Sequence, residues 1–375
     1  MIPRILAKTI ENSWQSGFVT IISGARRVGK TVLLEQLNSQ WAKGQALIIN
    51  GDSQEGKTVL DTNSEVKLSN LVKDRKFIFI DEAQGIPNVG LALKIIIDKF
   101  PDKKIVVTGS VNLFGVPGFR DNLVGRQQSF LLYPFSTKEL TFGTDDYKKI
   151  SYLDDQLIYG GYPYVWDLAT PTEKKTYLEN LTADYLFKDT VFLGRIGEPD
   201  LLRKLATLLA FQVGSEASLG ELANQLQIDY KTVRRYLDFL ENSFVVFSLG
   251  AFSKNLRREV AGKRKWYFYD LGIRNSLTGQ FLPLNQRTDV GGLWENFLLV
   301  ERLKKREYAK TKIPSYFWRN YQGAEVDYLE MTDKKLFAFE FKWGKSSGRT
   351  PKAFREGYGV SAKIVNRENY LDFIL

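Results

Sequence analysis

Residues 18–34 read Phe-Val-Thr-Ile-Ile-Ser-Gly-Ala-Arg-Arg-Val-Gly-Lys-Thr-Val-Leu-Leu, an apolar run that breaks into a glycine-bounded loop and resumes at helical spacing. The pattern predicts a strand, a phosphate loop and a helix. Gly24 and Gly29 bracket four residues ahead of Lys30 and Thr31, filling every fixed position of G-x-x-x-x-G-K-[ST]. The glycines let the N–H groups of Gly24, Ala25, Arg26, Arg27, Val28 and Gly29 curl around phosphate oxygens, and the helix beginning near Lys30 aims its unpaired amides at them. In that frame Lys30 reaches the β- and γ-phosphates and the Thr31 hydroxyl holds a metal, so ATP and Mg²⁺ are the expected ligands.

Two more apolar runs end in polar residues. Phe77-Ile-Phe-Ile-Asp-Glu82 has the continuous hydrophobicity of a parallel strand buried on both faces, and its C-terminal end is where such sheets meet ligands. Asp81 is expected to hold the magnesium, directly or through water, and Glu82 to polarise the attacking water. Lys104-Ile-Val-Val-Thr-Gly-Ser110 delivers hydroxyls, with Ser110 placed to sense the γ-phosphate. A helix within residues 1–16, a strand at 46–50 and a helix at 88–100 complete an alternation that predicts an α/β domain on a parallel sheet. Arg120 and Arg126 follow the third run. Arg126 is a candidate arginine finger for its own or a neighbouring subunit, against the competing reading of a local carboxylate partner.

Composition narrows the chemistry. The 375 residues contain neither cysteine nor histidine, which removes thiol nucleophiles, disulfides, histidine-based triads and zinc sites built on those ligands. Catalysis must run on carboxylates, Lys, Arg, hydroxyls and a hard cation. The length predicts two or three domains. Charge interrupts the opening Met-Ile-Pro-Arg-Ile-Leu-Ala-Lys before a leader core forms, and no stretch has the apolar length of a membrane span, so a cytoplasmic protein without membrane association is expected. The formal charge is +10, yet residues 151–200 carry 4 basic against 9 acidic side chains. Basic flanks about an acidic connector point to a polyanion partner.

From residue 201 the spacing changes to short helices. Leu201–Gln212 is one; Ser218 caps a second over 219–226, with Glu221 at the capping-box position; Asp229 caps a third over 230–242. On the third, Val233, Tyr236, Leu237 and Leu240 share one face while Lys231, Arg234 and Arg235 fall away from it. Two strands, 244–249 and 265–269, flank a hairpin carrying Lys254, Arg257, Arg258, Lys263 and Arg264. This is winged-helix spacing, with Lys231, Arg234, Arg235, Arg257 and Arg258 as the expected DNA contacts and a rigid connector as the rival reading. Beyond it lie a helix from Leu293 and strands at 315–318, 325–330 and 336–341. Asp327 and Glu340 would hold a magnesium ion, Glu295 would complete or orient the shell, and Lys342 would place or stabilise a water attacking a phosphodiester, against the competing reading, which spacing alone favours, of an exposed hairpin carrying an Asp, a Glu and a Lys as ordinary surface residues.

With Ile80-Asp-Glu-Ala-Gln84, Thr108-Gly-Ser110, Leu123-Val-Gly-Arg126, Leu132-Tyr-Pro-Phe-Ser136, Gly160-Gly-Tyr-Pro163, Trp318-Arg319, Glu325-Val-Asp327 and Glu340-Phe-Lys342 in view, the chain resembles a group of prokaryotic AAA-type ATPases that carry a C-terminal domain of unknown function. The C-terminal part resembles the PD-(D/E)xK restriction-endonuclease fold, with Asp327, Glu340 and Lys342 at its core positions and Glu295 at its helical acid. The resemblance implies an AAA-type P-loop domain over 1–143, a helical lid or connector over 144–200, a winged helix over 201–280 and a small nuclease-like α/β domain over 281–375. Two functions follow: an ATPase coupling nucleotide state to DNA binding and Mg²⁺-dependent cleavage, or a non-enzymatic nucleotide-switched regulator of DNA or protein on an inactive nuclease-like scaffold. A homo-oligomer is compatible with both.

Overall fold

A computed structural model describes residues 2–115, 118–144, 146–192, 198–253, 263–333, 335–344 and 348–375. These divide into two compact units, one running up to Pro134 with Asn242–Phe244, the other comprising Phe135–Glu241 and Val245–Leu375.

The first unit is built on five parallel strands in the order β2-β3-β4-β1-β5: β1 Val19–Ser23, β2 Leu47–Asn50, β3 Phe77–Asp81, β4 Lys104–Gly109 and β5 Gln127–Leu131. This sheet is of the kind expected for a P-loop NTPase domain. All of β1 is buried, as are Ile78, Phe79 and Ile80 of β3 and Ile105, Val106 and Val107 of β4. Strands covered on both faces must be apolar throughout, and each such side chain contributes about 1.5–3 kcal/mol of burial free energy. The helix Val89–Lys99 lays Ala92, Leu93 and Ile96 into the same core as Leu68 and Val72 of the helix Glu65–Val72. The expected helix within 1–16 is shorter, Ile5–Asn12, and Trp14 beyond it meets Trp41 edge to face at 5.9 Å.

The second unit differs from the sequence expectation in a way that matters for the site. The three expected short helices are present at Pro199–Phe211, Leu219–Leu226 and Tyr230–Asn242, with Ser218 capping the second (3.2 Å from Glu221 N) and Asp229 the third (2.9 Å from Thr232 N). Their strands, β6 Glu216–Ala217, β7 Val246–Ala251 and β8 Arg264–Phe268, form an antiparallel set. The sequence places a boundary at 280, but β7 pairs in parallel with β9 (Ser315–Arg319), which continues through β10 (Glu325–Thr332) and β11 (Lys335–Phe341) to β12 (Lys363–Val365). One seven-stranded sheet, β12-β11-β10-β9-β7-β8-β6, runs through both stretches.

Residues 135–141, expected with the first domain, pack in the second unit. Glu301 on the helix Val290–Tyr308 accepts from Thr137 N at 2.8 Å, and Lys304 donates to the Phe135 carbonyl at 3.0 Å and to Glu301 at 2.7 Å. These buried bonds tie residues 135–141 to the second unit. Lys254, Arg257 and Arg258 of the expected basic hairpin lie outside the described residues.

Candidate nucleotide and metal sites

In the first unit the phosphate loop leaves the buried end of β1. Gly24 is required by packing, since a Cβ there would collide with the Leu132 carbonyl. Gly29, at φ 97°, takes the left-handed backbone from which the helix Lys30–Trp41 starts, a conformation that favours glycine. Register brings the three polar strand ends together: Ser23 lies beside Gly109, and Ile80 beside Val107, with β4 between the loop strand and the acid-bearing strand.

The side chains there form one connected set. Thr31 Oγ1 donates to Asp81 Oδ2 at 2.6 Å, and Thr108 Oγ1 donates to the other Asp81 oxygen while accepting from Glu82 N at 3.1 Å. Gln84 Nε2 donates to Glu82 Oε2 at 2.5 Å and to Ser110 Oγ at 3.0 Å, and Ser110 N reaches Glu82 Oε2 at 3.2 Å. Lys30 Nζ donates to the Gly24 and Ala25 carbonyls at 3.1 and 3.0 Å and lies 3.4 Å from Glu82 Oε1. Burial lowers the Lys30 ammonium, and Glu82 and Asp81 recover only part of the loss. For Glu82 burial would raise the carboxyl, but Lys30, Gln84 and Ser110 outweigh it and the net direction is down. Arg26 sits half-buried beside this set; Arg27 is exposed with φ 60°. The pairing of Thr31 with Asp81 puts two hard oxygen donors side by side, the chemistry a magnesium ion requires.

The sequence reading of this site needs one correction and two additions. Arg126 precedes β5, and its carbonyl accepts from Val19 N at the start of β1, the end of the sheet opposite the phosphate loop and roughly 13 Å of strand away. It pairs there with Asp98, so it is not a finger for its own chain. Thr108 and Gln84 orient the two acids, a role legible only once β3 and β4 are known neighbours.

In the second unit Asp327, Glu340, Lys342 and Glu295 gather where β8, β10 and β11 meet the helix Val290–Tyr308. A register shift between Val326 and Leu329 marks a bulge in β10 at Asp327, a device that re-aims side chains. Phe341 N donates to Asp327 Oδ2 at 2.7 Å. Lys342 Nζ donates to Glu340 Oε1 at 2.7 Å, and Glu340 Oε2 is buried without a hydrogen-bond partner. Phe339 and Phe341 turn the other way onto Tyr328 and Phe373, as strand alternation requires.

Carboxylate oxygens of Glu295, Glu325 and Asp327 lie within 4.8 Å of one another. Burial, then Glu295 and Glu340, push Asp327 up to about 7. One Glu295 oxygen is engaged: Oε1 accepts from Lys265 Nζ at 3.0 Å and Tyr267 OH at 2.5 Å, and Lys265 also bonds Glu325 Oε1. Lys265 and Tyr267 are not among the candidates that the sequence offers, and Glu325 enters there only within the Glu325-Val-Asp327 motif. Burial would lower Lys265, but Glu295 and Glu325 override it and hold the ammonium above its ordinary value. Lys342 is likewise raised, Glu340 outweighing burial. An orphaned Glu340 oxygen beside a carboxyl that resists ionisation suits a hard divalent cation.

On the helix Tyr230–Asn242, Val233, Tyr236, Leu237, Phe239 and Leu240 are buried, and Lys231, Arg234 and Arg235 are exposed.

Comparison with known proteins divides the chain into three stretches. Residues 16–141 match a family described as an AAA domain, and residues 150–284 and 290–371 match two domains of unknown function, DUF8612 and DUF4143. An uncharacterized protein of Mycobacterium tuberculosis is 28% identical over 271 residues, covering 71% of this chain and 58% of that protein. An uncharacterized protein of Methanocaldococcus jannaschii is 23% identical over 350 residues, 88% of this chain and 76% of its own. One of Haemophilus influenzae is 26% identical over 319 residues, 77% and 75% of the two chains. The match therefore spans less than two thirds of the mycobacterial protein. Among the described residues no helix is long and apolar enough to cross a membrane.

Proposed function

We propose that the chain is a Mg²⁺-dependent ATPase whose nucleotide state controls DNA engagement by its second unit. The observation that carries the ATPase reading is the connected set Thr31–Asp81–Thr108 and Lys30–Glu82–Gln84–Ser110 beside the phosphate loop. Bound magnesium would neutralise phosphate charge there, with Thr31 and Asp81 as its holders. Phosphate oxygens entering the loop compete with Glu82 for Lys30. Glu82, kept ionised, then accepts a proton from water while Gln84 and Ser110 fix its orientation.

For DNA, the support is the exposed row Lys231, Arg234 and Arg235 on a helix whose opposite face is core. Phosphates are the natural partners of such a row. The acidic site extends the reading to phosphodiester cleavage: Asp327 and Glu340 would hold the cation, which would activate water and steady the leaving oxygen, and Lys342 would supply positive charge to the scissile phosphate. Glu295 orients the shell without entering it.

The test is incubation of the full chain with supercoiled and single-stranded DNA in Mg²⁺, with and without ATP, beside Asp327→Ala, Lys342→Ala and Lys30→Ala. Cleavage lost in the first two variants, and ATP turnover lost in the third, are expected. ATP turnover unchanged in Lys30→Ala would refute the ATPase reading. DNA binding without cleavage under any condition would leave the nucleotide-switched regulator.

A further inference from the structure

Lys265 is 1% exposed, in the body of β8, and its ammonium faces carboxylates from two other elements. Glu295 comes from a helix 30 positions on and Glu325 from β10, 60 positions on. A buried lysine is costly unless fully paired. Here two carboxylates pair it, and the Phe317 ring, 5.4 Å from Nζ, closes a further side. Tyr267, two residues along the same strand and so on the same face, adds a second donor to Glu295 Oε1. The other Glu295 oxygen lies against Gly214, where an added Cβ would come within 3.1 Å.

We propose that Lys265 is a positioning residue for the acidic site, a tethered cation that engages Glu295 and Glu325 and leaves Asp327 with Glu340 to bind a single divalent ion. The inference rests on the metal reading given above and specifies it. Four carboxylates face two ammonium groups, Lys265 and Lys342, so two negative charges remain, which one divalent ion neutralises. Arg319, at 3.7 Å from Glu325 Oε2, and Lys263 both reach Glu216 on the exposed rim, where solvent screens their charge. The three clustered carboxylates would repel one another strongly without Lys265, and they would otherwise offer a second ion a place. The oxygens this leaves for the ion are the unpartnered Glu340 Oε2 and the Asp327 oxygen not bonded to Phe341 N.

Mn²⁺ titration of the full chain without nucleotide, by calorimetry and by electron paramagnetic resonance of free Mn²⁺, tests this independently of any activity. Wild type should bind one ion in the second unit, and Asp327→Asn should weaken it at least tenfold. Glu325→Gln, which keeps shape and hydrogen-bonding capacity, should retain one ion within about threefold, a small change on the scale of a lost ligand. Lys265→Met should take up a second ion or bind the first at least tenfold more tightly. Should that variant not fold, Lys265→Met/Glu325→Gln removes the ammonium with one of its carboxylates and should still bind the ion. Loss of Mn²⁺ from Glu325→Gln as complete as from Asp327→Asn would overturn the proposal alone, as would wild-type stoichiometry and affinity in Lys265→Met. No Mn²⁺ on wild type would overturn the metal reading itself.

Discussion

Replacing Asp327 by Asn isolates the electrostatic cost of the acidic site. The folded chain holds the Asp327 proton up to about pH 7, whereas an unfolded aspartate releases it near 3.8. The folded state thus binds the proton more tightly, so this group's contribution is most favourable below the unfolded value and is lost as pH rises from about 4 to 7. At about 1.4 kcal/mol per pH unit, a difference of roughly three units comes to about 4 kcal/mol, with relaxation around the site reducing it to as little as about half. Asn keeps the shape and still accepts from Phe341 N, without the charge. In EDTA, Asp327→Asn should therefore be about 2–4 kcal/mol more stable than wild type at pH 8 and equal to it at pH 4. Urea denaturation followed by tryptophan fluorescence reads this out, because Trp294, Trp318 and Trp343 report on this unit. Mg²⁺ at pH 8 should stabilise wild type and not the variant, by about 2.7 kcal/mol at a hundredfold excess over its dissociation constant. A variant less stable than wild type at pH 8, or a difference independent of pH, would refute the reasoning.

Glu82→Gln should bind ATP yet turn it over about 10²–10⁴-fold more slowly, since Lys30 is released from its partner while the acceptor for water's proton is lost; a nucleotide-binding assay beside phosphate release separates the two. Thr108→Val deletes the hydroxyl that joins Asp81 to Glu82 N and should cost about 1–3 kcal/mol of stability, measured by thermal melting, with a raised Mg²⁺ requirement for turnover. Arg234→Ala and Arg235→Ala should each lower the salt dependence of DNA affinity by about one ion across unrelated sequences; a slope that stays put would remove that helix from the interface.

The first unit was legible because its evidence is local. The loop, the acid-ended strand and the hydroxyl-ended strand each announce themselves within about ten residues, and parallel strands deliver such ends to one edge. For Arg126 the finger and the local carboxylate partner stay open in the sequence, because a lone arginine before a strand does not disclose which end of the sheet it occupies; the pair with Asp98 is the second of these. In the second unit the helix caps at Ser218 and Asp229, the basic face of the third helix and the alternation at Glu340 and Lys342 were all short-range patterns. Lys265 was hidden: amid Lys263 and Arg264 it reads as one more surface cation, and its partners are 30 and 60 residues away. Glu325 stands two positions before Asp327 on one strand, and that spacing was the available signal for placing it at the site.

The pairing of Gly250 with Tyr316 and of Ala251 with Phe317 welds the helical stretch to the acid-bearing stretch through backbone hydrogen bonds. A deletion ending at residue 280 would strip the neighbour from β7 and bare a row of amides and carbonyls along a sheet margin, an invitation to intermolecular strand addition. Such a fragment would tend to clump, and its poor behaviour would say nothing about DNA. The folding unit on this side of the chain is therefore the whole sheet, and a piece meant to stand alone should carry both stretches.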